Sequence, residues 1–392
     1  MDRHRDETSA ALHAIRIAGL GPLSPPGYTA AGRELRDGMQ AAVQTINDAG
    51  GMLGTSLELV FRDTGGTPPT ALAAVEALRH EGIVAFAGEF HSVVADAIVE
   101  PIQQAGIPFM CASATLDAIT ARRLDCVFRL APAQSYGWRI YADFLVAEGF
   151  RQVVALTDPS VYWEAGARVL ERRLVAAGVR FSQLTVPPEA SVTACVKQIA
   201  GLVAAASGPH MLLLLVAYPE PVHSLVHELY HHGLRPPRLY LGDPAGRAAF
   251  ADWWVVAGAE ATQMPFLAYI RSDHLTTAGE RMRDQLTQQR GQEPTFVAFE
   301  GYDSVWALAQ AINAAGSTGA TEIAAALRRI AVQGTRGSIR FTTSTEAVVH
   351  QQWTWPPVCV LAFHEPDQPF STAAVLWDAR AVHTKRTRLL RG

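Results

Sequence analysis

No apolar run in this chain approaches the roughly 20 residues that cross a bilayer. The richest, Met211 to Ala217, is only strand-sized. Cysteine is scarce. The four cysteines, Cys111, Cys126, Cys195 and Cys359, are scattered and form no CxxC pair, so a zinc site or thioredoxin-type motif has no support. Cys111 and Cys195 lie in apolar surroundings and read as reduced, buried small hydrophobes. There is no excess of positive charge either. A net charge of -4 leaves no basic face for nucleic acid or anionic lipid. Catalytic signatures are missing too. No G-x-S-x-G elbow exists, and no G-x-G-x-x-G follows the first strand. GLGPLSPPG puts prolines where a phosphate loop needs N–H groups. A nucleophilic hydrolase, a dehydrogenase and a P-loop enzyme are all disfavoured.

The first residues, MDRHRDETSAALHAIRIAG, begin with charges of both signs and show no apolar h-region or small-residue cleavage site. As written they are not a secretory signal. The expected location is cytoplasmic for the chain as written, and extracytoplasmic if a leader precedes it.

What is present describes a folded globule: 49% hydrophobic and 18% charged residues over 392 positions. That length suits two domains. The most informative stretch runs from Ile15 to Gly66. It reads as a strand, a Pro/Gly/Ser loop, a long amphipathic helix, a glycine stop and a second strand. Leu35, Met39, Val43 and Ile46 recur at helical spacing and Gly50-Gly51 ends the helix. Leu57, Leu59 and Phe61 then alternate as a strand does.

The unit repeats. A helix runs from near Pro69 to Gly82, then strand IVAFAGE, a helix from Ser92 to Gly106, and strand IPFMCAS. CVFRLAPA leads into helix SYGWRIYADFLVAEG. QVVALTD, VRFSQLTV, MLLLLVAY and RLYLGD are further strands, each followed by a helical segment. Such a run implies parallel sheets with helices on both faces. After about residue 262 three helices come close together, at about 273–290, 295–315 and 320–330, followed by GSIRF and WTWPPVCVLAF. The expected fold is α/β, with two doubly wound parallel-sheet lobes joined by a multi-crossing hinge. Lobe 1 is expected to comprise 15–133 plus 266–341, and lobe 2 136–262 plus 347–378. Crossings fall near 133–136, 260–266 and 341–347, and 1–14 and 379–392 are expected to be flexible termini.

In open parallel sheets, ligands bind beyond the carboxyl ends of the strands. After IVAFAGE stand Phe90, His91 and Ser92; after IPFMCA stand Ser113, Ala114 and Thr115. After QVVALTD come Tyr162 and Trp163, after MLLLLVA comes Tyr218, and after RLYLG comes Asp243. The first group offers hydroxyls and helix N-terminal N–H groups, which suit a carboxylate. The second offers tyrosines and one acid, which suit an ammonium. Each residue also has a plainer reading. Ser92 is placed to cap a helix, Thr115 to cap the LDAIT turn, the tyrosines to line a rim, and Asp243 to start a turn before Pro244.

The opening I-x-I-x-x-x-G-P-L-S, the IND-AGG helix end, LELVFRDTGG, SAT at 113–115, FRLAP at 128–132 and GYDSV at 301–305 together carry a family likeness. In their order and spacing the chain resembles the type I periplasmic binding fold, in its branched-chain amino-acid and amide-binding branch, over about residues 15 to 375. The resemblance implies a clamshell that closes on a small molecule, with no cofactor. It implies that Ser92, Ser113 and Thr115, with Ala114 between them, hold a carboxylate, that Tyr162 and Tyr218 close from the second lobe, and that Asp243 meets an ammonium. GDPAG is one residue shorter than, or shifted from, the usual pattern there. Three further departures lie near the expected side-chain pocket. Ala31 stands where an aromatic is common, with Tyr28 three residues earlier. Phe90-His91 replaces a small or polar pair, and Trp163 replaces a glycine. Trp163 and His91 suit a polar or aromatic ligand.

The function implied is non-catalytic binding of an amino-acid-like or amide ligand, as the substrate-binding component of an ABC-type uptake system partnered by a membrane permease. The alternative is a cytoplasmic ligand sensor of the same fold that signals to a regulatory partner. A monomer and a homodimer both fit. A distant third is a zinc hydrolase. His223, His227 and His231 lie on one helix face, and His227 to His231 spells H-E-x-x-H. Leu234 stands where the extended zincin motif needs glycine, and a third ligand is lacking. A polar helix face is the simpler reading, and no metal is expected.

Overall fold

A computed structural model describes residues 14–157, 159, 161–185, 191–204, 210–215, 228–229, 231–232, 239–241, 265–365 and 368–379. The first sheet is parallel. β1 (Ile15–Gly21) lies between β2 (Leu57–Asp63) and β3 (Ile83–Gly88), and β4 (Phe109–Cys111) and β5 (Val127–Arg129) follow β3, giving the order β2-β1-β3-β4-β5.

Alternation along the strands divides the core into two faces. Ile17, Ala85, Met110 and Phe128 point to one side, where α1 (Thr29–Asp48) packs through Leu35, Met39 and Ile46. Ala18, Leu20, Phe86 and Phe109 point to the other, covered by α2 (Pro68–Leu78) and α3 (Ser92–Gln104). α4 (Ala118–Ala121) is one turn between β4 and β5.

The second parallel sheet has the order β7-β6-β8-β9, from Arg180–Thr185, Gln152–Thr157, His210–Leu215 and Leu239–Leu241. Its helices include α5 (Gln134–Glu148), α6 (Val161–Ala176) and α7 (Val192–Ala204).

The late helices are α8 (Thr277–Arg290), α9 (Phe296–Ala315) and α10 (Ala320–Leu327). α9 lies against α1 at very short range. A Cβ on Gly38 would fall 1.9 Å from the Ala298 carbonyl oxygen, and one on Gly301 2.2 Å from that of Leu35, so only glycine fits at either point. This seats the late helices on the first sheet. β11 (Val332–Gln333) and β12 (Ser338–Ile339) form a short hairpin. GSIRF thus gives only a two-residue strand.

One boundary differs from expectation. β10 (Phe266–Ala268) pairs antiparallel with β13 (Cys359–Ala362), which pairs with β14 (Ala374–Asp378). Residues 266–268 therefore do not open the late lobe 1 segment. Phe266 packs on Phe363 and Phe370, and Tyr141 of α5 donates to the Pro265 carbonyl at 3.1 Å. Burial of these apolar residues against α5 ties them to the chain after residue 134. Residues 351–353 instead approach β5. Gln352 forms a parallel bridge with Arg129, and Trp353 an antiparallel one with Phe341. No helix among the described residues is long and apolar enough to cross a membrane.

Candidate functional site

The carboxyl ends of β3 and β4 bring the first group of residues together. β3 runs directly into Glu89, which is fully buried. Its Oε1 accepts hydrogen bonds from the Phe90 and His91 N–H groups at 2.8 and 3.0 Å. The N-cap N–H of α3, that of His91, is thus answered by the chain's own carboxyl. Burial raises the Glu89 pKa against the pull of the His91 N–H and the Thr64 hydroxyl.

His91, not Ser92, is the N-cap residue of α3, and its side chain makes no capping bond. Instead its Nε2 accepts from the Tyr28 backbone N–H at 3.0 Å. That bond requires the proton to sit on Nδ1. Burial pushes the imidazole down to about 4, so the neutral form prevails near neutrality. Tyr28 is buried, and its ring lies 6.2 Å from that of Phe90. His91 and Tyr28 therefore fix the β1–α1 loop to the start of α3.

Ser92 is the first residue inside α3. Its Oγ accepts from the N–H groups of Thr115 and Leu116 at 3.1 and 3.3 Å. Ser113 and Ala114 donate their N–H groups to the Glu89 carbonyl at 3.3 and 3.1 Å. Ser92, Ser113, Ala114 and Thr115 are thus one hydrogen-bonded cluster, all buried. Thr115 caps no helix; α4 has Asp117 at its N-cap position. The Thr115 hydroxyl has no hydrogen-bond partner among the described residues. The Ser113 hydroxyl faces the Glu300 carboxyl without closing a full hydrogen bond.

Two residues behind this loop were not singled out as site residues. Gln134 donates its backbone N–H to the Thr115 carbonyl at 2.7 Å and its Nε2 to the Tyr162 carbonyl at 2.6 Å. It is the direct link between the 113–116 loop and α6. Arg129 is fully buried and holds four neutral oxygens: those of Thr115, Leu116 and Val348, and Oε1 of Gln352. FRLAP contains Arg129, so the motif marked it without giving its role.

A wall of buried charge stands behind Ser113. Arg336 Nε donates to Asp303 Oδ2 at 3.1 Å, and Nη1 donates to Glu300 Oε1 at 3.3 Å and the Tyr269 carbonyl at 3.1 Å. Its guanidinium lies 5.2 Å from the Trp353 ring centre. Burial pushes Glu300 up to about 7 against the pull of Arg336.

In the second group, Tyr162 is half-buried at the start of α6, with its ring 4.8 Å from that of Trp163. Trp163 is 2% exposed and packs in the core against Trp138. Gly166, one turn on, makes room for this. A Cβ there would fall 2.6 Å from Trp138 Nε1. Tyr218 and Asp243 lie outside the described residues, as do His223 and the His227 that opens the H-E-x-x-H string; His231 is exposed.

A family model described as periplasmic binding protein matches residues 14–354. The Leu/Ile/Val-binding protein homolog 3 of Brucella melitensis is 27% identical over 44% of this chain and 46% of its own length. The chain thus spans about half the length of the first curated relatives it matches. An amino acid binding protein of Pseudomonas aeruginosa is 25% identical over 83% of this chain and 86% of its own. Among solved structures, the branched-chain amino acid transporter substrate-binding protein of Streptococcus pneumoniae, in complex with isoleucine, superposes with a TM-score of 0.78 at 20% identity, covering 93% of this chain and all of that one (100%). A solute-binding protein from R. palustris, in complex with benzoate, gives 0.77 at 20% identity over 93% of this chain and 96% of that one. At these identities the two structures speak to the fold, a two-lobed α/β architecture.

Proposed function

The chain belongs to the periplasmic binding protein family, and from that premise we propose that it captures a small amino-acid-like or amide ligand between two lobes without making or breaking a covalent bond. Family membership places the chain among binders rather than enzymes. The observation that carries the ligand reading is the convergence of Ser92, Ser113 and Thr115 at the ends of β3 and β4, with Thr115 tied to Tyr162 through Gln134.

In this reading lobe 1 comprises 15–133 with 272–341. Lobe 2 comprises 136–262 with 266–270 and 358–378, and 347–357 serve as the third crossing. A ligand carboxylate meets Ser92, Ser113 and Thr115. Tyr162 and Tyr218 close over it, and Asp243 receives the ammonium. Tyr28 and His91 border the side-chain end. Closure is a population shift, because contacts to the second lobe are made only in the closed state. The names of its relatives support a role as the capture component of an amino-acid uptake system, with a membrane permease as partner. The named ligands, isoleucine in one neighbour and benzoate in another, are an aliphatic and an aromatic carboxylate.

Titration calorimetry of the intact chain against the standard amino acids, their amides and benzoate tests this. One ligand bound per chain, with no product on prolonged incubation, is the expected result. Absence of binding by the whole panel, or turnover of any member, contradicts it.

A further inference from the structure

Arg129 carries a full positive charge into the interior and, among the described residues, makes no ion pair there. Every oxygen it holds is neutral: Thr115 at 3.2 Å, Leu116 at 2.7 Å, Val348 at 3.2 Å and Gln352 Oε1 at 2.6 Å. Burial lowers the guanidinium to about 10, outweighing the through-space pull of Cys111 and of the Asp117 carboxylate. The group stays charged near neutrality. A buried charge without a counter-charge is costly, and the site gains whenever an anion comes near.

The route to such an anion is drawn by the hydrogen bonds. The Thr115 carbonyl and the Leu116 N–H are two ends of one peptide unit. Arg129 donates to the first, and the second donates to Ser92 Oγ at 3.3 Å, beside the Thr115 N–H at 3.1 Å. Hydrogen bonds in series polarise one another, the more so when one end is charged. With two N–H donors on its oxygen, Ser92 has its proton left to give. Toward a ligand it acts as a donor.

We propose that Arg129 is a positioning residue that makes this pole selective for an anion: its charge, relayed through the Thr115–Leu116 peptide to the Ser92 hydroxyl, is answered by the carboxylate of the bound ligand. The protein therefore prefers free acids over the corresponding carboxamides. This rests on the binding function proposed above. A purely structural Arg129 would hold the crossing at 348–352 against the loop and leave that preference unchanged.

The test is calorimetry on the intact chain with the standard L-amino acids and their carboxamides, at about pH 6, where both ligand ammonium groups are charged. The wild type should bind its best acid about a hundredfold or more tighter than the matching amide. Arg129→Met should bring the two within about tenfold, and Arg129→Lys, which keeps the charge, should restore most of the preference. Arg129→Gln, which keeps N–H donors near the Thr115 and Leu116 carbonyls but no charge, should also shrink the ratio, which keeps the test decisive if Arg129→Met fails to fold. If the wild type binds the amide as tightly as the acid, the inference is overturned while the binding function stands. The same holds if the ratio survives in Arg129→Met or, should that variant not fold, in Arg129→Gln. If neither acids nor amides bind the wild type, the binding function fails and takes the inference with it.

Discussion

The imidazole of His91 accepts a hydrogen bond from the backbone N–H of Tyr28, 63 residues earlier, at 3.0 Å. The bond exists only with a neutral ring, and burial holds the folded-state pKa at about 4, below its ordinary value of 6.5. The unfolded chain thus binds a proton that the folded chain refuses between these two values. The stabilising contribution is complete above about 6.5 and is lost as pH falls through about 4. His91→Gln keeps an acceptor and does not titrate. Urea unfolding at a series of pH values should show the wild type losing of the order of 2 kcal/mol more than His91→Gln between these limits. Parallel pH profiles would remove His91 as the cause.

Gln134 is the hydrogen-bonded link between Thr115 and Tyr162. In Gln134→Ala the Tyr162 carbonyl loses its Nε2 donor. Ligand affinity should fall about tenfold, the scale of one buried hydrogen bond left unmade. The measurement is calorimetry beside X-ray scattering of the ligand-saturated protein, which should report a larger radius of gyration in the variant. Equal affinity and equal radius would show that the link plays no part in closure.

Arg336 stands between Asp303 and Glu300, all three of them buried. Arg336→Met leaves two acids without their cation. Near neutral pH this should cost about 3–5 kcal/mol in chemical denaturation. Both acids are already pushed upward by burial, Glu300 to about 7. Once protonated, Glu300 needs no cation, so the loss should shrink as pH falls below about 7. A loss that stays constant with pH would mean that packing on Trp353, not charge, explains the effect.

The sequence carried the β-α order well because each unit is local. Leu35, Met39 and Ile46 mark their helix face by spacing alone, and the alternation at Leu57 to Phe61 marks its strand. What it carried poorly depends on distant partners. β10 has three residues, too few for alternation to announce. Phe266 belongs with β13 because of Phe363 and Phe370, about a hundred residues later. Trp163 was marked only by the family resemblance, as a residue suited to a polar or aromatic ligand. Its core position follows from Trp138 and the room left by Gly166, which no local pattern reveals. The cluster of Ser92 with Ser113 and Thr115 was legible because loops after parallel strands meet at one edge. Glu89, Gln134 and Arg129 were not, since a charged or amide residue near a strand end reads as exposed until its buried partners are known.

The most direct test is calorimetry of the wild type and of Ser113→Ala, Thr115→Ala together, with the tightest ligand of the amino-acid and amide panel. The account predicts one site per chain in the wild type. It predicts at least about a hundredfold weaker binding in the double variant, since two hydroxyls facing a charged group are removed. The thermal midpoint without ligand should be little changed, because neither hydroxyl closes a hydrogen bond within the described residues. Undiminished affinity in the double variant would contradict the placement of the ligand at the ends of β3 and β4.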